Sequence, residues 1–204
     1  MSTTSPLLTL PGPTSGLKIG LFGGSFNPAH TGHMLVAETA MKRLGLDWVW
    51  WIVARGNPLK SEHGDFEARL ASAQRMADHP RMRVSDLEKH AGLTYTCDTL
   101  AALMQRAPQA NFVWLMGADS LAEFHRWKRW QQIAAAVPIA VIARPGSGRK
   151  ARFSPFAQRY QSARVPEYAA LSLAGREGPA WLYLDGPVDP SSSTAIRRAK
   201  KGKA

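Results

Sequence analysis

Short apolar runs alternate with segments of helical period along almost the whole chain, and this alternation constrains the fold more than any other feature. The apolar runs cover residues 19–22, 49–53, 83–87, 112–116, 139–142 and 181–184. Helix-like segments cover 32–44, 66–77, 96–106, 121–124, 128–136 and 193–200. Parallel strands need long crossover connections, and those connections usually carry helices. The pattern therefore predicts an α/β fold, a parallel sheet with helices on both faces. Ligands of such sheets bind beyond the carboxyl ends of the strands, so chemistry is expected just after each apolar run. No internal repeat competes with this reading.

The chain has 204 residues, 45% of them hydrophobic, enough to bury a substantial core. Residues 17–204 are expected to form one domain after a flexible leader, 1–16. That leader is broken by prolines and lacks a basic n-region, so it reads as neither a signal nor a transit peptide. The single cysteine, Cys97, rules out an internal disulfide and is compatible with a reducing compartment. The longest apolar run, 133–143, contains a proline and is far shorter than the roughly 20 residues a bilayer span takes. A soluble, cytoplasmic protein is expected, monomeric or homodimeric, with no membrane partner.

The net charge of +11 invites a nucleic-acid reading. Its placement argues otherwise. Residues 144–164 hold six basic side chains and no acid, the tail from Arg197 holds five more and no acid, and the remainder is balanced. No basic stripe with interleaved aromatics runs along one element, so no nucleic-acid partner is expected. The two basic segments read as solvated faces or as attractors of anionic nucleotides.

The most informative connection follows the first apolar run: Gly23-Gly24-Ser25-Phe26-Asn27-Pro28-Ala29-His30-Thr31-Gly32-His33. Paired glycines let a ligand approach the main chain closely. Asn27-Pro28 marks a turn. Gly32 leaves room for a flat ligand in the first helical turn. The helix that begins there keeps Met34, Ala37, Met41 and Leu44 on one face. Free N–H groups at a helix start attract phosphate. His30 and His33, three residues apart, project to one side of that turn. Two imidazoles beside a phosphate can donate hydrogen bonds to the charge that grows during phosphoryl transfer. The Walker Gly-Lys-Ser/Thr string and the GxGxxG fingerprint are absent. No carboxylate or cysteine cluster stands near the histidines in the sequence to complete a zinc site.

This string resembles the signature of the nucleotidyltransferase superfamily, with His-x-Gly-His after the first strand. Within it, the string is most similar to bacterial nicotinate-nucleotide adenylyltransferases, and the resemblance runs from about Lys18 to Arg198. It implies a Rossmann-like nucleotidyltransferase fold and adenylyl transfer from ATP to nicotinate mononucleotide, with Mg²⁺ arriving on ATP. The implied catalytic residues are His30, His33, Lys60 and Arg197, with His33 foremost at the transition state. Implied ATP contacts are Gly23, Gly24, Ser25, Phe26, His30 and His33, then Gly117 and Asp119, then Ser192, Ser193, Thr194, Ile196 and Arg197. For the mononucleotide the resemblance implies Asn57 and Lys60 over the site, Tyr95 and Thr96 on the pyridine carboxylate, and Trp127 stacked on the ring. Residue by residue, plainer readings stand beside these. Thr94 or Thr96 can cap a helix, as can Asp119 and the serines at 191–193. Arg69 and Arg75 read as surface residues without a role, Trp130 as core, and Cys97 as a passenger. Two stretches, 146–155 and 166–178, read as loops. Rival functions are a sister enzyme for nicotinamide mononucleotide or phosphopantetheine, and a basic RNA-binding module. An aminoacyl-tRNA synthetase fragment would carry a Lys-Met-Ser-Lys-Ser loop, which is missing.

Overall fold

The computed structural model describes residues 8–56, 64–146, 148–187 and 189–201. Six strands are present among them: β1 (Lys18–Gly24), β2 (Trp48–Val53), β3 (Met82–Ser85), β4 (Asn111–Gly117), β5 (Ile139–Ile142) and β6 (Trp181–Leu184). They form one sheet in the order β3-β2-β1-β4-β5-β6, and every neighbouring pair is parallel. The chain works outward from β1 to β3 and then crosses back to β4. The strand order therefore reverses between β1 and β4, where such sheets open a crevice.

Both faces of the sheet are buried. In β2, Trp50 and Ile52 point to one side and Val49, Trp51 and Val53 to the other, and none of the five is more than 1% exposed. A two-residue side-chain period with apolar residues at both phases demands cover on both sides. One face packs under α1 (Thr31–Leu44), α2 (Phe66–Met76) and a 3-10 run, Glu167–Gly175. The opposite face packs under α4 (Thr96–Arg106), α6 (Trp130–Ala136), α7 (Gly148–Arg152) and α8 (Pro155–Arg159). Two short helices, α3 (Leu87–His90) and α5 (Ala118–Glu123), follow β3 and β4, and α9 (Ser193–Lys201) ends the described chain.

Four stretches differ from the expectation. The third strand stops at Ser85, because the Ser85 hydroxyl accepts the Leu87 N–H at 3.2 Å and turns the chain into α3. The stretch expected as a loop at 146–155 instead contains α7 and leads into α8. Ser154 caps α8 by accepting the Ala157 N–H at 3.3 Å, Pro155 follows at the first helical position, and Ala151 and Phe156 anchor both helices in the core. The stretch at 166–178 holds the 3-10 run, fixed by buried Ala170, Leu173 and Ala174. Residues 8–16, within the segment expected as a leader, run against the sheet. There Leu8 and Leu10 pack on the core, and the Gly16 N–H donates to the Gln109 carbonyl at 3.0 Å. Among the described residues no helix is long and apolar enough to cross a membrane.

Candidate active site

The loop after β1 is held by an aromatic cluster. Phe26 takes a left-handed φ of 46°, a conformation costly for a bulky side chain. Its ring is 1% exposed, wedged 5.1 Å from Trp51 and 5.5 Å from Phe22, so burial offsets the backbone strain. The His33 ring meets the Phe26 edge at 5.1 Å. This cluster fixes the loop just before α1 begins.

Two histidines then cap α1. His30 is the N-cap, and its Nδ1 accepts the Gly32 N–H at 3.2 Å. His33 reaches back, and its Nδ1 accepts the His30 N–H at 3.2 Å. Ser or Thr with Glu usually fills this reciprocal arrangement. Here imidazoles do so, with ring centroids 3.9 Å apart. Because each Nδ1 accepts, each neutral ring carries its proton on Nε2. The cap thus sets the tautomer and leaves each ring with an Nε2–H donor. Burial holds the His30 pKa below the ordinary imidazole value, and the Arg144 charge lowers it further. His30 therefore acts as a neutral donor near pH 7.

Both rings line a cleft of about 520 Å³ at the carboxyl ends of β1 and β4. The expected residues Gly23, Gly24, Ser25, Phe26, Tyr95, Thr96, Gly117, Asp119, Trp127, Ser192, Ser193, Thr194 and Arg197 line the same cleft. Ile196 does not: it is half-buried on α9 and absent from the lining. Asn57 and Lys60 lie outside the described residues.

The start of α4 differs from the expected cap. Tyr95 is the N-cap and no side chain caps the helix, so neither Thr94 nor Thr96 closes its first N–H groups. The α5 start is similar, with Gly117 as N-cap, so Asp119 does not cap it either. By contrast Ser192 caps α9, accepting the Ala195 N–H at 3.1 Å. The α9 segment is tied to the β1–α1 loop by Ser193 Oγ donating to the Pro28 carbonyl at 2.9 Å and Arg197 Nη1 to the Asn27 carbonyl at 2.6 Å. Residues 165 and 170 apart in sequence thereby form one wall.

Trp127 meets Trp114 at 6.2 Å and Phe124 at 5.2 Å, both edge-on, and is half-buried. Trp130 packs on Phe124, Phe156 and Tyr160, as a core residue should. The Cys97 thiol has its pKa pushed up, first by burial and then by Asp98, which suits a passenger.

Four charged cleft residues were given no role from the sequence: Glu88, Arg126, Lys128 and Arg144, the last noted only as part of an Arg-Pro-Gly string that the resembled family also carries. Arg144 follows β5 directly, so the rule that chemistry follows strands pointed to it. The space beside Gly32 is filled by Arg144 rather than left for a flat ligand, since a Cβ there would stand 2.5 Å from Arg144 Nη1. Arg69 corrects the surface reading. It is 3% exposed and donates Nη1 to the Ser25 and Ala54 carbonyls at 2.9 and 2.7 Å and Nη2 to the Arg55 carbonyl at 3.3 Å. Three carbonyls at the exits of β1 and β2 lack ladder partners and need such a donor. Of the other basic side chains between 144 and 164, Arg152 pairs with Asp185 at 2.6 Å and Arg164 lies over Trp181, outside the cleft.

Comparison with known proteins agrees with this geometry. A family model described as cytidylyltransferase-like matches residues 21–199. The chain belongs to that family. A relative from Caulobacter sp. strain K31, named "Probable nicotinate-nucleotide adenylyltransferase", is 54% identical over 189 residues, covering 91% of this chain and all of the relative. A relative of the same name from Agrobacterium fabrum is 49% identical over 187 residues, again covering 91% of this chain and all of its own. The fold is shared with a solved Plasmodium falciparum nicotinic acid mononucleotide adenylyltransferase complexed with NaAD. That match has a TM-score of 0.65 and 18% identity, covering 88% of this chain and 82% of the other.

Proposed function

We propose that this protein is an enzyme that transfers the adenylyl group of ATP to nicotinate mononucleotide, releasing pyrophosphate and forming nicotinate adenine dinucleotide. The observation that carries the reading is one cleft that joins two donor imidazoles at the start of α1 to an uncapped start of α4 beside Trp127. Its family membership and relatives of nearly full coverage support the same reaction.

The chemistry follows from these positions. The 5′-phosphate oxygen of the mononucleotide attacks the α-phosphorus of ATP in line. The bond from that phosphorus to the bridging oxygen breaks, and the electron pair leaves with pyrophosphate. No covalent enzyme intermediate is needed, so the protein works by positioning and charge stabilisation. His30 and His33 donate from Nε2 to oxygens that gain charge, with no reorganisation because the cap already orients them. Arg144 and Arg197 add positive charge, and Arg197 suits phosphate through its planar fork. The open N–H groups at Tyr95 and Thr96, at the positive end of α4, favour a pyridine carboxylate. A carboxamide would set its own N–H donors against them. Trp127 supplies a flat surface for the ring. Among the described residues no three His, Cys, Asp or Glu side chains stand close enough to hold a metal ion. Mg²⁺ enters as part of the ATP substrate, as is usual for a cation that binds through phosphates and few carboxylates.

The test is direct. Purified protein is given Mg-ATP with nicotinate mononucleotide or its amide, and dinucleotide and pyrophosphate are quantified. Faster transfer to the acid is expected; preference for the amide, or no transfer to either, would reject the reading.

A further inference from the structure

A buried carboxylate under the cleft is unused by the chemistry above. Glu88 is 4% exposed yet belongs to the cleft lining. Both oxygens are engaged: Oε1 accepts the Thr99 hydroxyl at 2.8 Å and Oε2 accepts the Arg55 N–H at 3.2 Å. Thr99 is fully buried on the first turn of α4, three residues beyond Thr96. Arg55 follows the end of β2, and its Nη1 donates to the Gly92 carbonyl at 3.2 Å, in the turn leading to α4. Arg69 holds the carbonyl of the same Arg55 residue. One residue at the β2 exit is thus gripped at its N–H by Glu88 and at its carbonyl by Arg69.

From this geometry we infer that Glu88 is a positioning residue for the pyridine side of the cleft, acting through Thr99 and the Arg55 N–H. It fixes where the start of α4 stands relative to the β2 exit. The ATP side is held by other ties, those from α9 to Asn27 and Pro28. Loss of the Glu88 tie therefore loosens the mononucleotide subsite alone. Glutamine weakens the tie without erasing it: the charge is lost, and the Thr99 hydroxyl must accept from the amide and send its own proton to the Tyr95 carbonyl, 3.3 Å away. Burial raises the Glu88 pKa, while the Thr99 and Arg55 hydrogen bonds favour the ionised form.

The inference rests on the proposed reaction, and its test separates the two. Steady-state kinetics are measured for the wild-type protein, Glu88→Gln, Thr99→Val, the double variant carrying both, and Thr99→Ser, with equilibrium binding of nicotinate mononucleotide followed by tryptophan fluorescence. Expected for Glu88→Gln and Thr99→Val is a KM for the mononucleotide raised about 5–10-fold, with the KM for ATP within about twofold and the two changes combining less than additively, as coupled contacts do. Thr99→Ser keeps the hydroxyl and restores wild-type binding. Should Glu88→Gln fail to fold, the Thr99 pair carries the same comparison. The inference is overturned if Thr99→Val leaves mononucleotide binding unchanged, if both KM values rise together, or if Thr99→Ser behaves as Thr99→Val. A wild-type protein that binds and adenylylates neither mononucleotide would instead defeat the proposed reaction.

Discussion

His30 is asked to do two jobs, and a pair of substitutions separates them. Its Nδ1 caps α1, and in the proposed chemistry its Nε2–H serves the phosphates. His30→Ala removes both. Loss of a side-chain N-cap costs about 1 kcal/mol, which for a chain of this size lowers Tm by roughly 2–4 °C. Loss of one preorganised donor lowers turnover by roughly 10²–10³-fold. His30→Asn restores a strong cap while supplying no group at the Nε2 position. It should recover at least half of the lost Tm and none of the lost turnover. Differential scanning calorimetry and a pyrophosphate-release assay on the same preparations give both numbers. If His30→Asn turns over within about threefold of wild type, the imidazole donor is not needed and the assigned role is wrong. The pH dependence provides a second check on the cap. The folded-state pKa of His30 lies below the ordinary 6.5, so the unfolded chain binds the extra proton first as pH falls. The stability tied to neutral His30 is present above pH 6.5 and is drawn down as pH drops toward the folded pKa. The Tm advantage of wild type over His30→Asn should therefore shrink between pH 7.5 and pH 5. An advantage that grows on acidification would contradict the neutral cap.

Further outcomes are expected elsewhere. Gly32→Ala puts a Cβ 2.5 Å from Arg144 Nη1 and 3.0 Å from the His30 ring, so turnover should fall at least tenfold while Tm stays within a few degrees; an unaffected rate would show that neither side chain needs its present place. Arg69→Met leaves three carbonyls without their donor, at about 1 kcal/mol or more each. Urea unfolding should report a loss of roughly 3 kcal/mol or more, and a loss below about 1 kcal/mol would refute the clamp. Trp127→Ala should raise the KM for the mononucleotide several-fold and leave that for ATP nearly unchanged, and the reverse pattern would move the ring elsewhere.

Much of the fold was legible because its signals are local. Five of the six strands carry apolar residues at both phases, β3 at one only, and α1, α2, α4 and α9 have helical spacing between them. The boundary at Ser85 was missed because the deciding hydroxyl bond competes with an apolar Leu87 that extends the run. The α7–α8 pair was missed because its arginines mask two buried anchors, although Ser154-Pro155 is a helix-start signal. At the site, the residues following strands were readable, and His30 and His33 stood out by type and spacing. Their reciprocal capping was not, since imidazoles rarely take that place. Arg69 and Glu88 were invisible for another reason. An arginine or glutamate on a short amphipathic helix looks solvated until the fold brings unpaired backbone groups to it. Their roles depend on three separate crossovers meeting under one cleft.

The most direct measurement is a crystal structure of the protein with a non-hydrolysable ATP analogue and nicotinate mononucleotide bound together. The proposed chemistry predicts the Nε2 atoms of His30 and His33 within about 2.7–3.2 Å of phosphate oxygens and the pyridine ring against Trp127, its carboxylate at the Thr96 N–H. Phosphates bound away from both imidazoles, or a pyridine ring lying outside the cleft, would contradict it.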